Sequence, residues 1–431
     1  MAQAGKGLLE VNGERLLARL EQFAAIGATP KGGVNRQALT ALDRQARQLL
    51  ADLGRARGFS VYQDPIANLF LRREGQNPDL PPLLIGSHLD SQPSGGRFDG
   101  ALGTLCAFEV LETLEDNGID TVRPVEVVAF TNEEGYRFAP GCMGSMAFSQ
   151  GAIPAAWHTA RATDGALFSD DLAATLDDLQ GAAMRPLGFP VFAYLEVHIE
   201  QGPSLEKEGL PIGIVTDIQG TRWLQVTISG QTAHAGTTAL SYRKDPMRAA
   251  VSGLNVLYND IMPQDAHSRL TVGRFSLEPG AINAIPAAVT FSLDIRHPNV
   301  EQLDLIEAKI RKVLQDHAGE NGCGLEMELL FDMAPARFTD HLVTILERAV
   351  VKAGFAHKSM VSGAFHDALF INRVAPTAMI FTPCRDGLSH NEEEYVKPAD
   401  SVAGAQVLLT ASLQLLSNLA TQASVVVPHL R

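Results

Sequence analysis

The chain has 431 residues, 45% of them apolar, which is more than one hydrophobic core ordinarily organises, so two domains are expected. Its 35 basic and 49 acidic residues leave a net charge of −14, which argues against a phosphate-binding or anionic-membrane surface and makes nucleic acid an unsuitable partner. Cys106, Cys142, Cys323 and Cys384 lie far apart with no C-x-x-C pair, which speaks against a disulfide framework or a thiolate zinc knot and fits a reducing cytoplasm.

The opening "MAQAGKGLLEVNGERLLARLEQFAAIG" carries acidic residues inside a helical pattern and lacks an apolar core ending in a cleavage site, so a mature helix is expected there. No later stretch reaches the roughly 18 to 20 apolar residues that cross a bilayer, and no membrane association is expected. Strand-like runs then alternate with helical patterns: "ANLFLRR", "PPLLIGSHLD", a helix around "GTLCAFEVLETLEDNG", "PVEVVAFTNEE" and "VFAYLEVHIEQG". That alternation is the pattern of an α/β fold with a mostly parallel sheet covered by helices. In such sheets ligands bind beyond the carboxyl ends of the strands. Three of these strands run into His88, into Glu133 and Glu134, and into His198 with Glu200; a fourth, "TAMIFTPCRDGLSHNEEEY", leads through a loop to His390.

Near residue 217 the pattern changes. "WLQVTISG" alternates Leu224, Val226 and Ile228 with polar residues, and "VTFSLDIR" does the same with Val289, Phe291, Leu293 and Ile295. Both read as half-buried antiparallel strands. One amphipathic helix is expected to start near Asp245-Pro246, and another carries Leu303, Ile306, Ile310, Val313 and Leu314 at helical spacing. Residues 217–332 are therefore expected to form an inserted α+β domain between the two parts of the larger domain, 1–216 and 333–431. The helical patterns "TDHLVTILERAVVKAG" and "DSVAGAQVLLTASLQLLSNLA" return to the style of the larger domain.

The stretch "GSHLDSQPSGGRFDG" places His88, Asp90 and Asp99 in a Gly- and Ser-rich setting after an apolar strand. Imidazole and carboxylate without thiolate form a ligand set for zinc, manganese, cobalt or nickel in a hydrolytic site. Residues of these types also serve as caps and turns, and residue type alone leaves both readings standing. The tandem acids Glu133 and Glu134 ask for a compensating cation or a shared proton.

Taken together, "GSHLDSQPSGGRFDGALG", "TNEEGYRF", "HIEQGP", "AHAGTT", "GAFHDA" and "GLSHNEEEY" resemble the metal-dependent amidases of N-carbamoyl-L-amino-acid hydrolase, allantoate amidohydrolase and β-ureidopropionase type, a branch of the M20 metallopeptidase clan. The motifs run in order from about residue 30 to 400. The resemblance implies a metallopeptidase-like sheet domain with a ferredoxin-like dimerisation or lid domain inserted. It also implies two divalent cations per subunit, Zn2+ first, with Mn2+, Co2+ or Ni2+ as alternatives. Asp99 would bridge them, with His88 and His198 on one and Glu134 and His390 on the other. Glu133 would be the general base, and Asp90 would orient the His88 ring. His198 stands where the peptidase branch usually has a carboxylate, and the following "EQGP" is typical of the ureido-cleaving branch.

By the same resemblance, His234 donates to the oxyanion, Asn283 and Arg296 hold the substrate, and all three come from the partner subunit of a homodimer. The alternation of "VTFSLDIR" independently places Arg296 on the polar face of its strand. Gln201 would contact the substrate amide, and the main chain at Gly363 and Ala364 would lie beside the substrate. Phe365 departs from the family pattern, which commonly has glycine there, and would reshape the pocket. His366 and Asp367 are read as structural, and His158, His267, His317 and His429 receive no role. The expected substrate is a small ureido carboxylate, an N-carbamoyl-L-amino acid first, with allantoate and N-carbamoyl-β-alanine as alternatives. A dipeptidase or acylase of the same clan and a non-catalytic ligand-binding relative are the more distant alternatives.

Overall fold

The computed structural model describes residues 8–417. Expectations for the first seven residues, for the last helix beyond Ser417 and for His429 fall outside that range. The chain divides into two compact units: residues up to Thr216 together with those from Phe338 onward, and Asp217–Arg337.

The first unit begins with β1 (Ser60–Gln63), β2 (Leu69–Arg73), β3 (Leu83–His88), β4 (Val125–Phe130), β5 (Ala183–Met184), β6 (Ala193–Ile199) and β7 (Ile212–Ile218). The second contains β8 (Gly220–Ser229), β9 (Ala233–His234), β10 (Arg269–Glu278), β11 (Ala284–Ile285), β12 (Ala288–His297), β13 (Gly324–Met333) and β14 (Ala336–Arg337). The chain then returns to the first with β15 (His357–Ser362) and β16 (Thr377–Thr382).

At the centre of the first unit β4, β3, β6 and β16 lie side by side and all parallel. Every residue of these four strands is buried, which explains their nearly continuous apolar runs: helices cover both faces. The helices Gly13–Ala24, Ala41–Ala56, Ala101–Asp116, Asp340–Ala353 and Pro398–Ser417 share one apolar core with the sheet. Because the four central strands point the same way, their carboxyl ends form one edge.

The sheet is mostly, not wholly, parallel. "ANLFLRR" is β2, and it runs antiparallel to both β4 and β1 rather than joining the parallel set. A tight hairpin sets its direction against β1. The Asp64 carboxylate accepts from Ile66 N, Asn68 N and Asn68 Nδ2 and closes the turn between β1 and β2, and a turn that short can join only antiparallel neighbours.

The second unit is an antiparallel sheet in the order β10-β12-β8-β13 with the helices Pro246–Asp260 and Val300–Glu320. The chain order strand, helix, strand, strand, helix, strand is that of a ferredoxin-like unit. Leu224, Val226 and Ile228 of β8 and Val289, Phe291, Leu293 and Ile295 of β12 are buried with Leu303, Ile306, Ile310 and Leu314 of the second helix. Asp245 caps the first helix, its carboxylate accepting from Met247 N and Arg248 N. The unit extends to Arg337 rather than ending at residue 332, because Ala336 and Arg337 leave as a short strand paired with Ile218 and Asp217.

Candidate active site

The parallel strands deliver the expected side chains to one edge. His88 is the last residue of β3, Glu133 and Glu134 follow β4, His198 is next to last in β6, and His390 lies on the loop after β16. Asp99 stands just before the helix Ala101–Asp116. Its two carboxylate oxygens face different neighbours. Oδ1 lies 3.1 Å from His198 Nε2 and 3.7 Å from His88 Nε2, whereas Oδ2 lies 3.6 Å from His390 Nε2. Glu134 Oε2 lies 3.3 Å from His390 Nε2, and Glu133 Oε2 lies 3.6 Å from His88 Nε2.

Local backbone conformation is unusual at this edge. Asn132, Cys142, Gln201 and His390 all have φ between 54 and 56°, in the left-handed region that ordinary residues avoid. Such residues concentrate where side-chain placement outweighs local strain. At Gly100, with φ of 63°, an added Cβ would come within 2.3 Å of His88 Cε1, so only glycine lets the Asp99 turn close over that imidazole.

Burial and charge set the protonation states. Burial raises the Glu133 and Glu134 carboxyls well above the ordinary range, and neighbouring carboxylates, Asp367 and Asp99 foremost, push the same way. Burial would raise Asp99 too, but its hydrogen bond to His198 and the three imidazoles outweigh it and hold Asp99 well below the usual carboxylate value. Burial lowers His88 to about 4. His198 also suffers burial, yet Asp99 and Glu196 raise it to about 9.

The residues present suit divalent cations. Two groups of three, His88 with Asp99 and His198, and Asp99 with Glu134 and His390, each bring their ligand atoms within 4.8 Å of one another and share Asp99. His88 Nε2 is buried without a hydrogen-bond partner among the described residues, an arrangement that a cation would complete. Imidazole and carboxylate donors of this kind match zinc and its first-row neighbours.

Asp90 acts differently from expectation. His88 Nδ1 lies 3.0 Å from the Asp90 main-chain oxygen and 3.7 Å from its carboxylate. The carboxylate instead accepts from Glu133 N and Glu134 N, each at 3.2 Å, and so holds the turn that presents both glutamates. Gln201 Nε2 donates to Asp99 Oδ2 and Ser389 Oγ, leaving its Oε1 buried without a hydrogen-bond partner among the described residues.

Gly363 and Ala364 lie in the turn between β15 and the helix Asp367–Ile371, where Ala364 N donates to Ser362 Oγ. His366 and Asp367, read as structural, stand beside the cluster. The His366 ring packs on His198 at 4.4 Å between centroids, and burial holds it well below the usual imidazole value, hence neutral. Asp367 accepts from Ser145 Oγ at 2.5 Å.

Glu196 was passed over in the sequence. It forms a third ligand-capable group with His198 and His366, but its oxygens already accept from Ser87 Oγ at 2.7 Å and Ala368 N at 3.0 Å, so it backs the His198 ring. Its signal was an acid two residues before His198, on the same face of a strand otherwise apolar.

His234, Asn283 and Arg296 belong to the second unit. His234 of β9 pairs with Ala284 of β11, and Ala235 N donates to Asn283 O, so His234 and Asn283 share one small two-stranded element. His234 is exposed, and its Nδ1 accepts from Gly236 N and Thr237 N, which leaves Nε2 as the ring's donor. Arg296 is half-buried, with Nε and Nη2 forked onto the Asp294 carboxylate.

A family model described as peptidase family M20/M25/M40 matches residues 84–414. This chain belongs to the M20/M25/M40 peptidase family. Among the relatives it resembles is the N-carbamoyl-L-amino acid amidohydrolase of Geobacillus stearothermophilus, 40% identical over 408 residues that cover 94% of this chain and 99% of that one. The ureidoglycolate hydrolase of Arabidopsis thaliana is 33% identical over 93% of this chain and 86% of its own length. The crystal structure of an amidase of the hydantoinase/carbamoylase family from Burkholderia multivorans superimposes with a TM-score of 0.90 at 40% identity, covering 95% of this chain and 99% of that one. Within the M20 family, then, this chain is an amidohydrolase, a hydrolase of amide C–N bonds.

Proposed function

We propose that the protein hydrolyses N-carbamoyl-L-amino acids to the free amino acid, carbon dioxide and ammonia. The observation that carries this reading is the position of Asp99, one carboxylate whose two oxygens face two separate groups of imidazole and carboxylate, with a further buried acid, Glu133, 3.6 Å from His88 Nε2. The N-carbamoyl-L-amino acid amidohydrolases among its relatives, up to 40% identical, support the substrate.

His88, Asp99 and His198 would hold one divalent cation, and Asp99, Glu134 and His390 a second, with Zn2+ first and Mn2+, Co2+ or Ni2+ as alternatives. Bound there, such ions would polarise the ureido carbonyl and acidify the attacking water. The Glu133 carboxylate, whose proton affinity burial raises, takes the proton as water adds to the ureido carbon. It returns that proton to the amino-acid nitrogen as the C–N bond breaks, and the carbamate released decomposes to carbon dioxide and ammonia. The uncommitted Gln201 Oε1 accepts from a ureido N–H, and the turn at Gly363 and Ala364 lies beside the substrate.

In this reading the second unit serves dimerisation and closure, and a partner copy supplies His234, Asn283 and Arg296. His234, whose Nδ1 accepts main-chain N–H groups, donates through Nε2 to the developing oxyanion. Arg296, steadied by Asp294, grips the substrate carboxylate with Asn283 alongside. The four cysteines are all free, which supports a cytoplasmic location, and no helix among the described residues is long and apolar enough to cross a membrane.

The plant ureidoglycolate hydrolase relative favours a second reading, a different small ureido carboxylate. Ammonia release from N-carbamoyl-L-amino acids, allantoate, N-carbamoyl-β-alanine and ureidoglycolate, assayed with the same cation-loaded protein, decides between them. The first substrate class should turn over fastest; fastest turnover of another selects the second reading, and no release from any of them rejects both.

A further inference from the structure

The loop bearing His390 also bears Glu394, which the chemistry above leaves unused. It is 3% exposed and makes no ion pair with Lys or Arg among the described residues, although it sits at the centre of the contact between two loops. Its Oε1 accepts from Phe98 N at 2.9 Å and from Asp99 N at 3.0 Å. Its Oε2 lies 3.4 Å from Ser389 Oγ, and that hydroxyl in turn lies 2.8 Å from Asp99 Oδ2. One carboxylate thus reaches the main chain of Asp99 directly and its side chain through Ser389.

The fit of the two loops around this contact is close. An added Cβ at Gly96 would fall 2.0 Å from the Glu394 carboxyl, and one at Gly33 would fall 2.7 Å from Glu392 Cα. Next to Glu394, the Tyr395 ring meets Phe98 edge-on with centroids 6.1 Å apart. Glycine at 96 lets that loop close on the Glu394 carboxyl, and the aromatic contact packs beside it. Asp99 and His390 are almost 300 residues apart in the chain, and no strand pairing joins the segments that carry them.

We infer that Glu394 is a positioning residue for Asp99, clasping the main chain of the Asp99 turn to the His390 loop so that one carboxylate faces both ligand groups at once. The inference rests on the cation-binding reading of those groups. Residues behind metal ligands commonly change cation affinity about tenfold to a hundredfold when removed.

The test uses the full-length protein loaded with Zn2+ or Mn2+, and reads the bound-cation count, the rate at which a chelator strips the cation, and kcat and KM for an N-carbamoyl-L-amino acid. In Glu394→Gln the amide oxygen still accepts both N–H groups, and cation retention should stay within about threefold of the parent. In Glu394→Ala stripping should be at least about tenfold faster and kcat should fall by a similar factor, with KM changed by no more than about twofold. Parent-like retention in Glu394→Ala overturns the inference, and so does damage in Glu394→Gln equal to that in Glu394→Ala, which would make the charge rather than the clasp the working element. Should Glu394→Ala fail to fold, Glu394→Asp replaces it: its carboxylate is one methylene short of the two amides, and parent-like retention there counts against the clasp. A parent protein that binds no divalent cation overturns the reading of the site itself.

Discussion

His198 and Asp99 form the tightest histidine–carboxylate contact of the candidate site, 3.1 Å apart, and in the cation-free protein they share a proton. The His198 value is raised from 6.5 to about 9, so its contribution to stability is fully present below 6.5 and is lost as pH rises through about 9. A cation needs the bare ring nitrogen, so binding must displace that proton, and apparent affinity should climb over the same window. Titration calorimetry near neutral pH in two buffers of different ionisation enthalpy should show proton release on cation binding; heats independent of buffer would contradict it. Glu133→Gln keeps the side-chain volume but cannot accept the proton. It should retain bound cation while turnover falls by about a hundredfold to ten-thousandfold, and a variant that hydrolyses at the parental rate removes Glu133 from the base role. At this scale the cluster was legible, because acids and imidazoles standing just past apolar strands carry a visible pattern. The role of the Asp90 carboxylate was not, since a sequence does not show whether a ring nitrogen meets a side chain or the main-chain oxygen two residues on.

Among the elements, the junction of β3 with the helix Ala101–Asp116 depends on Gly100. Gly100→Ala adds a methyl where the His88 ring stands 2.3–2.5 Å away and forces an L-residue to a φ of 63°. It should lower the thermal midpoint and abolish cation retention together, seen by calorimetry and by metal analysis of the purified variant. Asp245→Ala provides the contrast. It removes a helix cap in the second unit and should cost about 1 kcal/mol by denaturant unfolding of that unit, with cation retention unchanged. The helices and the alternating strands β8 and β12 were legible because their periodicity is set by which face is buried. The direction of β2 was not, because an apolar strand reads the same whether its neighbour runs with it or against it. The Asp64 turn decided it against β1.

For the whole molecule, the proposed sharing of the site between subunits has a direct consequence. Glu133→Gln and His234→Ala proteins, each inactive alone, should recover toward about a quarter of parental activity when mixed and allowed to exchange, since half of randomly formed dimers are mixed and each holds one intact site. Verified mixed dimers without activity would mean that His234 serves its own chain or none. The sequence alone pointed to two styles of folding and to the family, because burial patterns and ordered motifs are local properties of the chain. The limit of the second unit at Arg337, the backing of His198 by Glu196 and the clasp of Glu394 on the Asp99 turn were decided by tertiary structure. Each depends on which residues distant in sequence meet when parallel strands bring their carboxyl ends to one edge, and no local pattern encodes that meeting.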